Sequence, residues 1–408
     1  MRKNKLLLLV ASLGTLLLLG VAAYQETVAR EWRRLQSAYR AKLDPAAAAD
    51  FAVHLRQVYA PALGVTDRCI SCHVGMAPGE AGIPHDPVFG KHPDVVHDPA
   101  DYGCVTCHDG QGRATESADA HGEVEFWPHP MLPSRYSYAG CGSCHTHVAV
   151  PNLAELKRGA RLLERDDCLA CHALDGRGGT LRPGTEPVIA PDLSRVGGTG
   201  YDRDWYAHHL AQQNTAPGGL WRTSVGAIAD ADRTAIDVFL ASRVGAPGLV
   251  EAKAVFHSLG CRGCHKVAGV GGDDGPDLTR AGERDPGLTN FRQVRGPHTI
   301  ANWLTEHFRA PAVVVPGSTM PQLGLTDTQI DALTFYILSL RRSMRPEAFW
   351  PKDRIRAERF GEREFATDGE TLFGTFCAAC HGPAGEGMRY PGMAAFPAIG
   401  NPDFLAVA

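Results

Sequence analysis

The 12 cysteines of this 408-residue chain fall into six pairs of one form. They read Cys69-Ile-Ser-Cys72-His73, Cys104-Val-Thr-Cys107-His108, Cys141-Gly-Ser-Cys144-His145, Cys168-Leu-Ala-Cys171-His172, Cys261-Arg-Gly-Cys264-His265 and Cys377-Ala-Ala-Cys380-His381. Two thiols at this spacing can each add to one vinyl group of a single porphyrin, and the imidazole of the next residue then lies under the iron. Cys-x-x-Cys-His is the attachment motif of c-type haem. At this composition chance supplies about 0.015 copies. Disulfides of an exported chain would require neither one constant spacing nor a trailing His. Zinc would need motifs in pairs and gives the His no reason to stand where it does. The sequence therefore reads as six covalently bound haem c groups, attached through the six Cys pairs, with His73, His108, His145, His172, His265 and His381 as iron ligands.

The elements that position these motifs follow from composition and spacing. A hydrophobic share of 44% and a charged share of 21% allow real cores. The formal net charge of -4 leaves no basic excess to neutralise phosphates, which argues against nucleic acid as a partner. Neither a dinucleotide-binding glycine fingerprint nor a Walker loop occurs. Met1-Arg-Lys-Asn-Lys5 precedes an apolar run from Leu6 to Ala23. Basic residues before such a run are an export signal, and its length also suffices to span a bilayer. Val21-Ala22-Ala23 could be a cleavage site, but the helical spacing of Glu26, Trp32, Leu35 and Tyr39 continues without a break and favours an uncleaved anchor. The expected location is the periplasmic side of the inner membrane, or the soluble periplasm if the run is removed.

Residues 24–63 read as a helical stalk interrupted at Asp44-Pro45, with a second helical piece running from Ala46 to Pro61. The first four motifs begin 35, 37 and 27 residues apart, the later ones 93 and 116. The short gaps leave no room for a separate core around each haem. Residues 64–150 are thus expected to be a compact trihaem module with little regular structure, punctuated by prolines. It carries the free histidines His85, His92, His97, His121, His129 and His147, with His54 just upstream. Of these, His92, His97 and His121 are the chosen iron ligands, with Met76 and Met131 as competitors. The stretch from His97 through Cys104-Val-Thr-Cys107-His108 to Thr115 resembles multihaem cytochromes attached to bacterial quinol-oxidising b/c-type complexes.

The second half contains a repeat. A helical lead-in precedes each motif: Gly159-Ala-Arg-Leu-Leu163, Glu251-Ala-Lys-Ala-Val-Phe256 and Gly369-Glu-Thr-Leu-Phe373. A proline loop follows: Ala190-Pro191-Asp-Leu193, Gly275-Pro276-Asp-Leu278 and Phe396-Pro397-Ala-Ile399. Amphipathic closing helices are expected at Ile228–Ser242 and Leu325–Leu340, the latter with a capping box at Thr326-Asp-Thr-Gln329. This pattern resembles class I cytochrome c domains. The resemblance implies that the carbonyls of Pro191, Pro276 and Pro397 accept the proton of the ligating His. It places the sixth ligand at Met320, in Gly317-Ser-Thr-Met320-Pro321. The unit at 151–245 has no Met; there His208, His209 or an open iron are the alternatives. Residues 343–368 read as a linker. The unit at 369–408 is incomplete, and Met388 and Met393 stand too near its motif to be its sixth ligand. A truncated sequence explains this best, ahead of completion by a partner or an unusual haem.

The expected fold is mainly α with much irregular structure: a haem-packed trihaem module (64–150) followed by small all-α cytochrome c domains (151–245, 246–342 and 369–408). The expected function is electron transport in a respiratory chain, from a membrane quinol-oxidising complex with b-type or iron–sulfur subunits to a soluble cytochrome or terminal reductase. The alternative is a haem enzyme, a reductase or peroxidase, with an open iron at His172.

Overall fold

The structure, a computed structural model, describes residues 2–93, 95, 97–145, 153–179, 190–198, 208, 228–243, 246–341, 345–351, 354–355, 373, 377–389, 395–396 and 398–399. It divides into two compact units, Met1–Leu132 and Pro133–Ala408.

The first unit opens with α1 (Arg2–Thr27). By length and composition this helix could cross a membrane, a test that an export signal passes equally. Helix α1 ends at Thr27, before α2 (Glu31–Arg40), so the expected unbroken helix is two helices. At the break Arg30 is extended and pairs with Glu26 and Glu116, while the Glu31 carboxylate accepts from the Ser117 amide and hydroxyl. Helix α2 buries Trp32, Gln36 and Tyr39, one face at helical spacing. The buried Gln36 amide is satisfied on both sides. It donates to the carbonyls of His54 (2.8 Å) and Ser71 (2.9 Å) and accepts from the His54 amide (3.0 Å). Tyr39 packs on the rings of Phe51 and Phe89.

Helix α3 (Pro45–Asp50) starts on an Asp44 cap that accepts from Ala46 and Ala47. It ends at Asp50, and no helix continues to Pro61. Phe51, Val53 and Leu55 alternate every second residue, an extended period, and the segment leads into β1 (Val58–Ala60). That strand pairs antiparallel with β2 (Val65–Asp67), Tyr59 opposite Thr66. Three short helices follow, α4 (Pro99–Tyr102), α5 (Val105–His108) and α6 (Ser117–His121). The loops between them are laced by backbone bonds such as Gln111 to Ala120 (2.7 Å), Met131 to His121 (2.8 Å) and Leu132 to His108 (2.9 Å).

The second unit begins with a tight 3-10 segment, Ser134–Ser143, and then α7 (Leu153–Arg165). Helix α7 crosses α8 (Asp230–Ala241) where Gly159 meets the Ala235 carbonyl so closely that any Cβ on Gly159 would overlap it. Leu156, Leu163, Leu174, Leu193, Ile236 and Phe239 form the core beneath. The same arrangement recurs one repeat later. There α9 (Pro247–Ser258) packs on α11 (Asp327–Ser339), with α10 (Ile300–Arg309) alongside. The capping box at Thr326 and Gln329 is present in both directions. The third motif joins this unit rather than residues 64–132: Gly142 lies against the Ser339 carbonyl, and the Tyr136 hydroxyl donates to Asp331 (2.6 Å). The reason lies in composition: Tyr136, Ala139 and Gly142 offer α11 a buried face in which a glycine permits backbone contact.

Replacing Gly159 by Val should force α7 and α8 apart. A loss of about 2 kcal/mol is expected, measured as a fall in the thermal midpoint of the helical signal, whereas Ala154→Val on the exposed side should change it little.

Candidate functional site

All six motifs fold into the same tight turn. The amide of the His donates to the carbonyl of the first Cys at 2.8 Å (His73), 2.9 Å (His108), 2.8 Å (His145), 3.0 Å (His172), 3.0 Å (His265) and 2.9 Å (His381). The turn sets the two Cys side chains beside one another with the imidazole one residue on. No disulfide joins any two of the 12 cysteines. Burial raises the thiols of Cys72 and Cys168 to about 11 and that of Cys261 to about 12.

A c-type haem needs the motif His to present Nε2, and so needs Nδ1 tied elsewhere. Three motifs show that tie. His73 Nδ1 lies 3.1 Å from the Val88 carbonyl, His172 Nδ1 2.8 Å from that of Pro191, and His265 Nδ1 2.9 Å from that of Pro276. The two proline acceptors are the expected ones; Pro397 lies outside the described residues. Gly275 packs over the His265 ring, where a Cβ would lie 2.5 Å from Cε1.

Sequence reasoning did not single out what holds the proline loops. Asp192 accepts from the Ser194 amide (2.8 Å) and hydroxyl, and Ser194 in turn accepts from the Asp175 amide (2.7 Å). In the next repeat Asp277 does the same for Thr279 (2.8 Å), which accepts from the Ala268 amide (2.9 Å). Pro-Asp-Leu-[Ser/Thr] is the signal that could have found this brace. These hydrogen bonds hold the carboxyls of Asp192 and Asp277 below the usual carboxylate range.

In the first unit the buried carboxylate of Asp67 was also missed. It accepts from the Cys69 amide (2.9 Å) and the Val105 amide (2.8 Å), so it ties the first two motifs together. The Cys69 and Cys104 thiols lie in the same cluster, and their mutual hydrogen bond, then burial, pushes the Cys69 thiol upward. Three ligand-type atoms here could pass for a metal site, but the two thiols belong to attachment motifs and the carboxylate is engaged by two backbone amides. The fifth and sixth motifs meet in a different way. A Cβ on Gly260 would overlap Ala379, and one on Gly263 would lie 3.6 Å from Cys380 Sγ. Small residues in Cys-Arg-Gly-Cys and Cys-Ala-Ala-Cys thus let two attachment turns touch.

Among the chosen sixth ligands, the structure brings His121 to His73, with ring centres 6.3 Å apart, and His92 to His108, at 6.2 Å. Burial is the main cause holding the His73 and His108 pKa values down. His97 joins neither pair: it is exposed, with its ring against Tyr102. Met131 is exposed, and Met76 is half-buried. Met320 is half-buried on the loop before α11, its amide donating to the Ser318 hydroxyl. The half-buried His307 stacks on Trp303 (4.7 Å) and is held down to about 4 by burial, then by Arg284 and His265. His208 and Met388 are exposed. His147, His209, Leu220–Val225 and Met393 lie outside the described residues.

The family model described as Cytochrome c matches residues 249–341 and 366–406. No curated protein and no solved structure matches the chain. The matched segments carry the fifth and sixth motifs, so the chain bears cytochrome c domains with covalently bound haem c.

Two substitutions test the braces. Asp277→Ala should weaken the carbonyl bond to His265; the haem there is expected to rise in midpoint potential, with about 1 kcal/mol of stability lost. An unchanged potential in a redox titration would show that the loop needs no brace. Asp67→Ala strands two amides and should cost about 2–4 kcal/mol, more than Asp67→Asn, by chemical denaturation of the holoprotein.

Proposed function

We propose that the chain is a hexahaem c-type cytochrome that carries electrons on the periplasmic side of an inner membrane, anchored by α1. The observation that carries this reading is motif-to-motif contact: Asp67 joins the first two motifs, and Gly260 with Ala379 joins the last two. Covalent haem supplies the redox centre when bound; the protein supplies position and tuning. The cysteines fix each group in place, the motif histidines offer one nitrogen to iron, and the braced carbonyls hold those rings in orientation.

Six covalent centres in one chain need neither an acid–base pair nor a substrate cavity to relay electrons. The reading assigns bis-histidine ligation to the first motifs and a Met320 thioether to the His265 haem. A thioether favours ferrous iron relative to a second imidazole. The first unit is then the low-potential entrance and the Met320 domain the high-potential exit. One apolar helix cannot build a quinol site, so the electron donor is a membrane quinol-oxidising complex with b-type or iron–sulfur subunits. A soluble cytochrome or terminal reductase would take electrons from the other end.

A potentiometric titration of the purified holoprotein tests this reading. Graded midpoints with the His265 haem among the highest are expected; that haem as the lowest centre would sink the direction of flow. Met320→Ala should lower that midpoint, while His307→Ala should leave its ligation intact. The reverse result would make His307 the ligand.

A further inference from the structure

The first unit holds two attachment motifs and six described histidines besides the two motif histidines. His54, His85, His97 and His129 are exposed or point to other contacts, whereas His92 and His121 are partly buried. His121 and His92 are also the ones set opposite a motif histidine, at 6.3 and 6.2 Å between ring centres. No hydrogen bond joins either pair, and rings in direct stacking contact would sit closer. A single atom between two Nε2 atoms accounts for the spacing. Two metal–nitrogen bonds of about 2.0 Å, with the ~1.15 Å from each nitrogen to its ring centre, give about 6.3 Å.

The remaining ring nitrogens agree with this. His73 Nδ1 is engaged by the Val88 carbonyl and His92 Nδ1 lies 2.7 Å from the Pro93 carbonyl, so each of these rings keeps Nε2 for the iron. The backbone sets the distal rings in place: the His121 carbonyl accepts from Met131, and Gly122, at φ +73°, closes α6 directly behind His121. We infer that His121 is the sixth ligand of the Cys69/Cys72 haem and His92 that of the Cys104/Cys107 haem. Each distal ligand comes from a segment outside the motif it completes, and along the chain the His92–His108 site is nested within the His73–His121 site. This rests on the haem-protein reading above.

The two sites differ in ring orientation, 33° between His73 and His121 and 75° between His92 and His108. Near-perpendicular imidazoles leave the two iron dπ orbitals of low-spin ferric haem almost equal in energy, which gives one extreme, strongly anisotropic EPR signal. Rings closer to parallel split those orbitals and give a rhombic signal. Ligand orientation and identity are thus separately readable.

The experiment is low-temperature EPR with redox titration on the full-length holoprotein and its variants. His92→Ala should remove a strongly anisotropic signal and His121→Ala a rhombic one, each yielding high-spin ferric iron from one haem of the six. His97→Ala and His129→Ala should leave both signals. If an Ala variant fails to accumulate with full haem content, His92→Met and His121→Met supply the readout, each remaining low-spin with one midpoint raised. Unchanged signals and midpoints in the His92 and His121 variants, or loss of one signal in His97→Ala or His129→Ala, would overturn the assignment while leaving the haem reading intact. Absence of haem absorbance in the wild-type protein would instead end that reading.

Discussion

One hydrogen bond recurs and the rest of the molecule is arranged to make it: the Nδ1–H of a motif histidine to a backbone carbonyl. His73 finds it 15 residues downstream, His172 19 and His265 11. The bond chooses the tautomer, frees Nε2 and raises its basicity. A loop of variable length must therefore return to the same place under each ring. In the second unit the Asp–Ser and Asp–Thr braces hold that loop. Gly197 and Gly282 then let it run hard against the ends of α8 and α11, at the carbonyls of Ala241 and Leu338. Both repeats build this device on the string Pro-Asp-Leu-[Ser/Thr], which is why the proline loop can be recognised although it lies at a different distance from each motif.

A second constraint is approach. Where an attachment turn packs hard against its neighbour, the glycine side of the contact has no room for a Cβ. Gly142 meets the last turn of α11, Gly260 meets Ala379, and Gly103, at φ +73°, meets Val65 beside Asp67. Packing this close cannot relax around an added methyl, so glycine and alanine are set by distance rather than by flexibility. The same closeness serves electron transfer, for which neighbouring centres matter more than a shaped cavity.

Much of this was legible in the sequence because it is local. The six turns need only five residues each, the capping box only four, and the proline carbonyls follow a repeated string. What was not legible depends on distant partners. Asp67 looks like any acid before a cysteine until the amide of Val105 arrives 38 residues later. His92 and His97 both precede the second motif, and only the folded chain separates the half-buried ring facing His108 from the exposed one against Tyr102. The third motif follows the first two at short spacing, yet Tyr136 and Gly142 fit the face of α11 and place it in the second unit. The Phe51–Leu55 stretch shows the remaining difficulty: a short apolar run after a helix is strand or helix according to its period, and here the period is two.

The central claim is that all 12 cysteines serve six covalent haems. Denaturing mass spectrometry of the purified protein, with a thiol titration and a haem-to-protein ratio on the same sample, tests it most directly. The account predicts a mass above that of the polypeptide by six haem groups and no reactive thiol. Free thiols, disulfides or a ratio below six in fully matured protein would contradict it.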